Sequence, residues 1–248
     1  MAGHRIGGQM LQDQIAEQNY RVALSPETVA DYASRDSLTN AEVALFRKYA
    51  DFIHGARVLD IGVGGGRTSL FLLSRCQDYT GLDYSRPMIE ACRTRLPFCK
   101  DAFIVGDARN LQTVCPGPYD FVLFAFAGID ALGYEDRLKV FAEARAVLAD
   151  DGLFHFSAHS LHAFPFAEPE VQARNAHLDP ADLRRRGWVQ LTDRRADVVL
   201  YYTYPDFQVR QLETSGFDVL DVLDMRGNPF DFAKPQRDWL VSFMCRKR

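Results

Sequence analysis

No apolar run in this chain approaches the ~20 residues that a helix needs to cross a bilayer, so the sequence argues against a membrane span. Its first residues lack a basic stretch followed by an apolar core, so no secretory signal is read there. Cysteine is scarce and scattered: Cys76, Cys92, Cys99, Cys115 and Cys245, an odd number without a C-x-x-C pair. That excludes a disulfide framework or a cysteine zinc site and points to free thiols in a reducing, cytoplasmic setting. Neither charge dominates, with 29 Lys and Arg against 33 Asp and Glu. A net charge of −4 gives no support for a general nucleic-acid binder. The local basic clusters Arg184-Arg185-Arg186 and Arg194-Arg195 read as solvated faces. Internal repeats and low-complexity segments are missing too. What is present is a chain of 248 residues, 47% hydrophobic, enough for one domain with a well-buried core.

The most informative stretch is Arg57-Val58-Leu59-Asp60-Ile61-Gly62-Val63-Gly64-Gly65-Gly66-Arg67-Thr68. A short apolar strand runs into a glycine-rich turn, and a helix is predicted from Thr68 to Arg75. Glycines allow a sharp turn and close approach of a ligand to the backbone. A helix start beyond such a turn offers free N–H groups to polar ligand atoms. A dinucleotide site wants G-x-G-x-x-G; here Gly62 and Gly64 fit, but Arg67 stands where the third glycine belongs.

Two further strand ends carry acids. Asp78–Asp83 reads as a second strand whose terminal Asp83 is placed to accept from two ribose hydroxyls. Phe103 to Arg109 reads as a third apolar strand ending in Gly106-Asp107-Ala108. Its carboxylate is suited to an exocyclic adenine amine, and the next backbone N–H to a ring nitrogen.

The segments VLDIGVGGGRTS, YTGLDYS, FIVGDARNL and YDFVLFAFAGID resemble class I methyltransferases dependent on S-adenosylmethionine. The resemblance covers roughly residues 30 to 160 well and the C-terminal third in outline. It implies that Asp60 and the turn of Gly62, Gly64 and Gly66 with Arg67 hold the amino-acid part of the cofactor. It implies that Asp83 and Tyr84 meet the ribose, and that Asp107 and Ala108 read the adenine. Met88 against the adenine face, Phe124 on the fourth strand and Tyr32 over the methionine end complete the implied cofactor set. The pattern is similar to a bacterial subgroup with small-molecule or saccharide acceptors. Within that subgroup Ala127 and Ser160 stand where relatives carry asparagine. The Asp/Asn-Pro-Pro-aromatic tetrapeptide of many nucleic-acid methylating enzymes is missing, which argues against DNA or RNA as acceptor.

The order of elements agrees. Helices are predicted over Pro26 to Ala33 and Asn40 to Ile53, then strand–helix alternation runs from Val58 to Phe156. The helix from Glu135 to Ala149 leads into a fifth strand, Leu153 to His159. Pro205 to Gly216 reads as a helix, and Phe217 to Leu223 and Trp239 to Cys245 as strands. The expectation is a single α/β domain over residues 1–248. It has a Rossmann-like, seven-stranded, mostly parallel sheet with helices on both faces and a C-terminal antiparallel strand. Residues 1–53 form an arm and helices over the site, and the arm up to about Pro26 is polar. Residues 160–204, rich in aromatics, form a substrate-side insertion, with a short helix near Leu178 to Arg186 and a strand near Val198 to Tyr204.

For the chemistry, the sulfonium methyl is already activated, so alignment of the acceptor matters most, and a hydroxyl acceptor also needs a base. Period-two alternation puts His155, Ser157 and His159 on one face of the fifth strand. His159 lies at the carboxyl edge, where ligands of open parallel sheets bind, and is the candidate base. Asp130, just past the fourth strand, is placed to orient His159, to bind an acceptor or to cap the next helix. His159, His162, Glu168, Glu170 and His177 match no metal-ligand motif, so a divalent metal is unsupported. The expected activity is methylation of a small molecule at oxygen, with a sugar or other polyhydroxylated metabolite as preferred acceptor. N-methylation of a small amine, a nicotinamide-dependent oxidoreductase and a cofactor-binding regulator without turnover stay open as alternatives, as does a homodimer.

Overall fold

Local sequence signals set the helix starts before the sheet. Ser25 precedes Pro26 and its hydroxyl accepts from the Thr28 N–H at 3.2 Å, opening the helix Pro26–Ser34. Thr39 and Glu42 form a reciprocal capping box at the head of Asn40–Lys48. In the computed structural model, which describes residues 14–166, 179–192, 198–234 and 238–248, these helices pack beside a single twisted sheet.

The strands are β1 (Arg57–Ile61), β2 (Asp78–Asp83), β3 (Phe103–Val105), β4 (Tyr119–Phe124), β5 (Leu148–Ser160), β6 (Trp188–Thr192), β7 (Val199–Thr203), β8 (Phe217–Leu223) and β9 (Leu240–Lys247). The first five are parallel in the order β3-β2-β1-β4-β5. β9 lies antiparallel to β5 and in turn pairs with β8, the C-terminal hairpin the sequence predicts. β4 stays beside β5 only as far as Phe156. Beyond it β7 takes the vacated edge, pairing with His159 and Ser160 through Tyr202 and Thr203, and β6 closes a hairpin on β7. The seven-stranded expectation therefore describes the central sheet; the segment after β5 adds two strands, of which β6 has no counterpart in the sequence prediction. Trp188–Thr192 is too short and mixed for its period to stand out.

Alternation along β5 sorts its side chains to the two sheet faces, as read from the sequence. Phe154, Phe156 and Ala158 join Val140, Phe141 and Phe217 in one buried layer. On the other face Leu45, Phe46, Phe121 and Leu123 form the second layer. His155 meets the edge of Phe46 on that side, with ring centroids 5.8 Å apart.

Several boundaries differ from the prediction; the helix expected from Thr68 to Arg75 is only one turn, Ser69–Leu72. β5 starts at Leu148 rather than Leu153, and absorbs the Asp150-Asp151-Gly152 turn by placing Asp151 in the left-handed region (φ +60°). β4 ends at Phe124, although the apolar run reads as a fourth strand over Phe121–Phe126, because Phe126 and Ala127 are both left-handed (φ +53° and +57°). Residues 14–23, read as a polar arm, form a helix. Three contacts hold it: the Ser85 hydroxyl donates to the Ala23 carbonyl (2.9 Å), the Tyr20 ring packs on Tyr84, and Asn19 ties its middle to distant segments. Asn19 is buried, its amide nitrogen donates to the Ala131 and Val199 carbonyls (3.0 and 2.8 Å), and its Oδ1 accepts from the Val199 N–H (3.0 Å). Polar composition hides such a helix, since the partners of Asn19 lie more than a hundred residues away. All five cysteines are free. Among the described residues no helix is long and apolar enough to cross a membrane.

Candidate functional site

The parallel strands end on one edge, and the loops leaving them surround a cavity of about 550 Å³. Gly62 and Gly64 line it with φ of +63° and +54°, the left-handed region that favours glycine. A Cβ at Gly62 would fall 2.6 Å from the Phe124 ring, and one at Gly64 3.1 Å from the Tyr32 ring. These glycines therefore let the Phe124 and Tyr32 rings close onto the backbone of the turn beside the cavity. Gly65 serves packing instead: a Cβ there would strike the Ala33 backbone and the Tyr32 carbonyl oxygen at 2.5 Å. Because backbone cannot rotate away, Gly65→Ala is expected to cost about 1–3 kcal/mol by displacing the Pro26–Ser34 helix. A thermal melt superimposable on that of the unmodified protein would contradict this.

Asp83 stands at the end of β2 and is buried. Its Oδ2 accepts from the Gly64 N–H (2.9 Å) and its Oδ1 from the Ser85 N–H (2.8 Å). Burial pushes its carboxyl up to about 6, against the two backbone hydrogen bonds. Asp107 lines the cavity with Ala108. Burial acts upward on Asp107 too, but the Arg109 guanidinium at 2.6 Å and the Arg109 N–H outweigh it and hold the carboxyl below its usual range. Tyr84 and Met88 complete this side of the lining.

Asp60 lies under the loop and outside the cavity lining. It accepts from the Thr68 hydroxyl and from Tyr79 (2.7 Å), and Tyr79 in turn meets Ser69 at 2.6 Å. Burial raises its carboxyl to about 6, opposed by the Thr68 and Tyr79 hydroxyls. Gly66 faces Cys92, Ser69 and Leu96. Arg67 is committed to Glu42 through two bonds of 2.6 and 2.7 Å and packs over Phe126. These three residues thus brace the glycine turn from behind, whereas Tyr32, Gly62, Gly64, Asp83, Tyr84, Met88, Asp107, Ala108 and Phe124 line the cavity.

His159 and Asp130 come together. His159 Nδ1 lies 2.7 Å from Asp130 Oδ2, which also accepts from the His159 N–H at 2.6 Å. Asp130 Oδ1 accepts from Arg137 at 2.6 Å, and neither Asp130 nor Arg137 has any exposed side-chain surface. A guanidinium is always a donor, so Asp130 faces it as an acceptor and faces Nδ1 as an acceptor too. Nδ1 therefore carries the ring proton and the lone pair is at Nε2, which has no hydrogen-bond partner among the described residues. The ring packs on Tyr202 and Trp239, at centroid distances of 4.7 and 5.4 Å. Trp239 meets Phe126 edge-on, and Phe126 borders a small recess with Tyr32, Arg35 and Arg67. His159 is outside the lining of the large cavity; Leu200, two residues before Tyr202 on β7, is within it.

Arg137 and Asn19 were not singled out by sequence reading, and Glu42 was read only as part of a helix start. For Arg137 a signal existed: it shares the helical stripe of Val140, Phe141, Ala144 and Val147, all buried. An arginine on an apolar stripe has to be paired. Its other nitrogen donates to Gln208 at 2.7 Å, and the guanidinium lies over the Tyr201 ring at 4.3 Å. Of the residues weighed for a metal, Glu168, Glu170 and His177 lie outside the described residues. Among the described ones no group of three or more His, Cys, Asp or Glu side chains is placed to hold an ion.

A family model described as a methyltransferase domain matches residues 58–152. A malonyl-[acyl-carrier protein] O-methyltransferase of Geobacter sulfurreducens is 36% identical over 112 residues, 44% of this chain and 40% of that one. A fatty-acid O-methyltransferase of Mycolicibacterium smegmatis is 29% identical over 150 residues, 58% of this chain and 53% of that one. The chain thus spans about half the length of the curated relatives it matches. Among solved structures, a 1,6-didemethyltoxoflavin-N1-methyltransferase of Burkholderia thailandensis superposes with a TM-score of 0.61 at 14% identity, covering 100% of this chain and 91% of that one. At that identity the likeness concerns the fold.

Proposed function

We propose that this chain, which carries a methyltransferase domain of the class I fold over residues 58–152, transfers a methyl group from S-adenosylmethionine to a hydroxyl of a small molecule. The observation that carries the reading is the pairing of two devices at one sheet edge. One is a glycine-lined cavity with a buried acid, Asp83; the other is a histidine held by a carboxylate, His159 with Asp130.

The residues present fit that cofactor. Gly62 and Gly64 keep the cavity free of Cβ atoms, Asp83 offers carboxylate lone pairs to ribose hydroxyls, and Asp107 with Ala108 borders the place for a base. Asp60 acts through the loop, by fixing Thr68 and Tyr79 beneath it. When bound, S-adenosylmethionine supplies a methyl group already activated by its positive sulfur. The chain's own task is then to hold the acceptor in line and to take its proton. Nε2 of His159 is the base, and Asp130 keeps the proton on Nδ1 and faces the imidazolium once it forms.

Methylation of a small amine is the second reading. It is favoured by the likeness in fold to an enzyme whose name specifies a nitrogen, and it uses the same base. Calorimetric titration with S-adenosylmethionine and with nicotinamide dinucleotides tests the cofactor. Binding of a dinucleotide alone would overturn the methyltransferase reading in favour of an oxidoreductase, and cofactor binding without turnover across an acceptor screen would favour a regulator.

The same titration reads Asp83. Loss of its charge-assisted bonds in Asp83→Ala is expected to weaken S-adenosylmethionine about 10- to 150-fold. The pH dependence has a definite sign. Asp83 takes up its proton near pH 6, and the protonated carboxyl loses an acceptor. Affinity is therefore full above about pH 7 and falls as pH drops through about 6. An affinity independent of pH across that window would remove the ribose role of Asp83.

A further inference from the structure

The cavity has two unlike halves. The first, at the ends of β1 to β3, presents Gly62, Gly64, Asp83 and Asp107. The second is walled by Ala16 and Val22 of the helix 14–23, Ala131 and Leu132 after β4, and Val198 and Leu200 entering β7. Four of these six residues lie outside the stretch 58–152 that matches the methyltransferase domain. The second half is thus built largely by segments beyond the matched domain.

The polar side chains beside Ala131 and Val198 are already engaged, and Tyr20 of the same helix turns its ring onto Tyr84, at a centroid distance of 5.3 Å. Asn19 reaches the cavity, but both of its amide hydrogens go to the Ala131 and Val199 carbonyls and its Oδ1 takes the Val199 N–H. Glu17 belongs to the lining at an exposed position, with its carboxylate 2.9 Å from Arg21. A polyhydroxylated body placed between these walls would bury several hydroxyls, and each one left without a partner weakens binding by about 5- to 150-fold. An apolar body loses nothing of the kind and gains with every carbon removed from water.

We infer that the acceptor carries an apolar body, a straight aliphatic chain or a flat aromatic ring, which occupies the half of the cavity between the helix 14–23 and β7. This inference rests on the methyltransferase reading, in that the first half of the cavity is assigned to the cofactor. It replaces the sugar preference drawn from the sequence resemblance.

The test uses the full chain loaded with S-adenosylhomocysteine, after the affinity for that compound has been measured by itself. Butanol, hexanol, octanol and decanol are titrated as the aliphatic arm, phenol and 2-naphthol as the aromatic arm, and methyl glucoside as the polyhydroxylated control. Affinity is expected to rise about fourfold per added methylene, or from phenol to 2-naphthol where the body is aromatic, with methyl glucoside the weakest. Leu200→Asn is expected to flatten the series while leaving the affinity for S-adenosylhomocysteine unchanged; Leu132→Asn serves if the first variant fails to fold by circular dichroism. An affinity that does not change along both arms, or methyl glucoside binding more tightly than hexanol, overturns the inference. Failure to bind S-adenosylhomocysteine is a different result: it removes the methyltransferase reading, while the alcohol series run on the unloaded chain still reports the character of the cavity.

Discussion

On the proposed function, replacing His159 by alanine is expected to lower kcat for methyl transfer by about 10²- to 10⁴-fold, the usual worth of a positioned general base, and to leave the dissociation constant of S-adenosylmethionine unchanged. The two effects separate because the ring lies outside the cavity lining and contacts Asp130, Tyr202 and Trp239 instead. Asp130→Asn is the paired measurement. It keeps the size of the side chain but removes the charge beside Nδ1. With that charge gone the ring is no longer held in one orientation and tautomer, so kcat is expected to fall while the affinity for S-adenosylmethionine stays the same. A histidine that only tied the strand end to the loop would leave kcat unchanged in Asp130→Asn. An unchanged rate in His159→Ala would rule it out as the base.

The second large effect is on stability. Arg137→Met is expected to destabilise the fold by about 3–5 kcal/mol, the cost of leaving one member of a buried ion pair alone. Asp130 and Arg137 are both fully buried, so water cannot replace the lost partner. The substitution also strips the Ile129 carbonyl and Gln208 of their donor, at 3.1 and 2.7 Å. For a chain of this length the loss corresponds to a fall in Tm of roughly 6–20 °C. Removing both charges, with Arg137→Met and Asp130→Leu together, should restore part of the loss, because no charge is then left unpaired. A Tm for Arg137→Met within about 1 °C of the unmodified protein, against 2–4 °C per kcal/mol for this size, would show that Asp130 does not depend on it.

Arg137 also marks the limit of sequence reading. Its helical spacing with Val140, Phe141 and Ala144 shows that it is buried, but not what it pairs with. The partner, Asp130, is seven residues away across a turn, and the other, Gln208, is on a different helix altogether. Glu42 is similar. Its place three residues after Thr39 announces a capping box, and the same carboxylate then neutralises Arg67 across the fold. Arg67 therefore reads in sequence as part of the glycine turn, and in three dimensions it is paired with Glu42 while bordering a recess with Gly62 and Gly65. Ala127 is legible in the other direction. The resemblance marks it as a place where relatives carry asparagine, and its φ of +57° supplies the reason, since asparagine tolerates the left-handed region better than alanine.

Elements with a strong period or a sharp punctuation mark follow from sequence alone. These are the parallel strands, the Tyr134–Val147 helix, the glycine turn, the acids at the strand ends and the C-terminal hairpin. Each depends on neighbours a few residues apart, and nearness along the chain is what a sequence displays. The latch of Asn19 on Val199, the entry of β7 beside His159 where β4 stops, and the apolar half of the cavity were decided only by the tertiary structure. They join segments separated by up to 180 residues, and packing alone brings such segments together. The glycine turn of Gly62 and Gly64 thus marked one side of the cavity in advance; the side formed with Val198 and Leu200 existed only once the chain had folded.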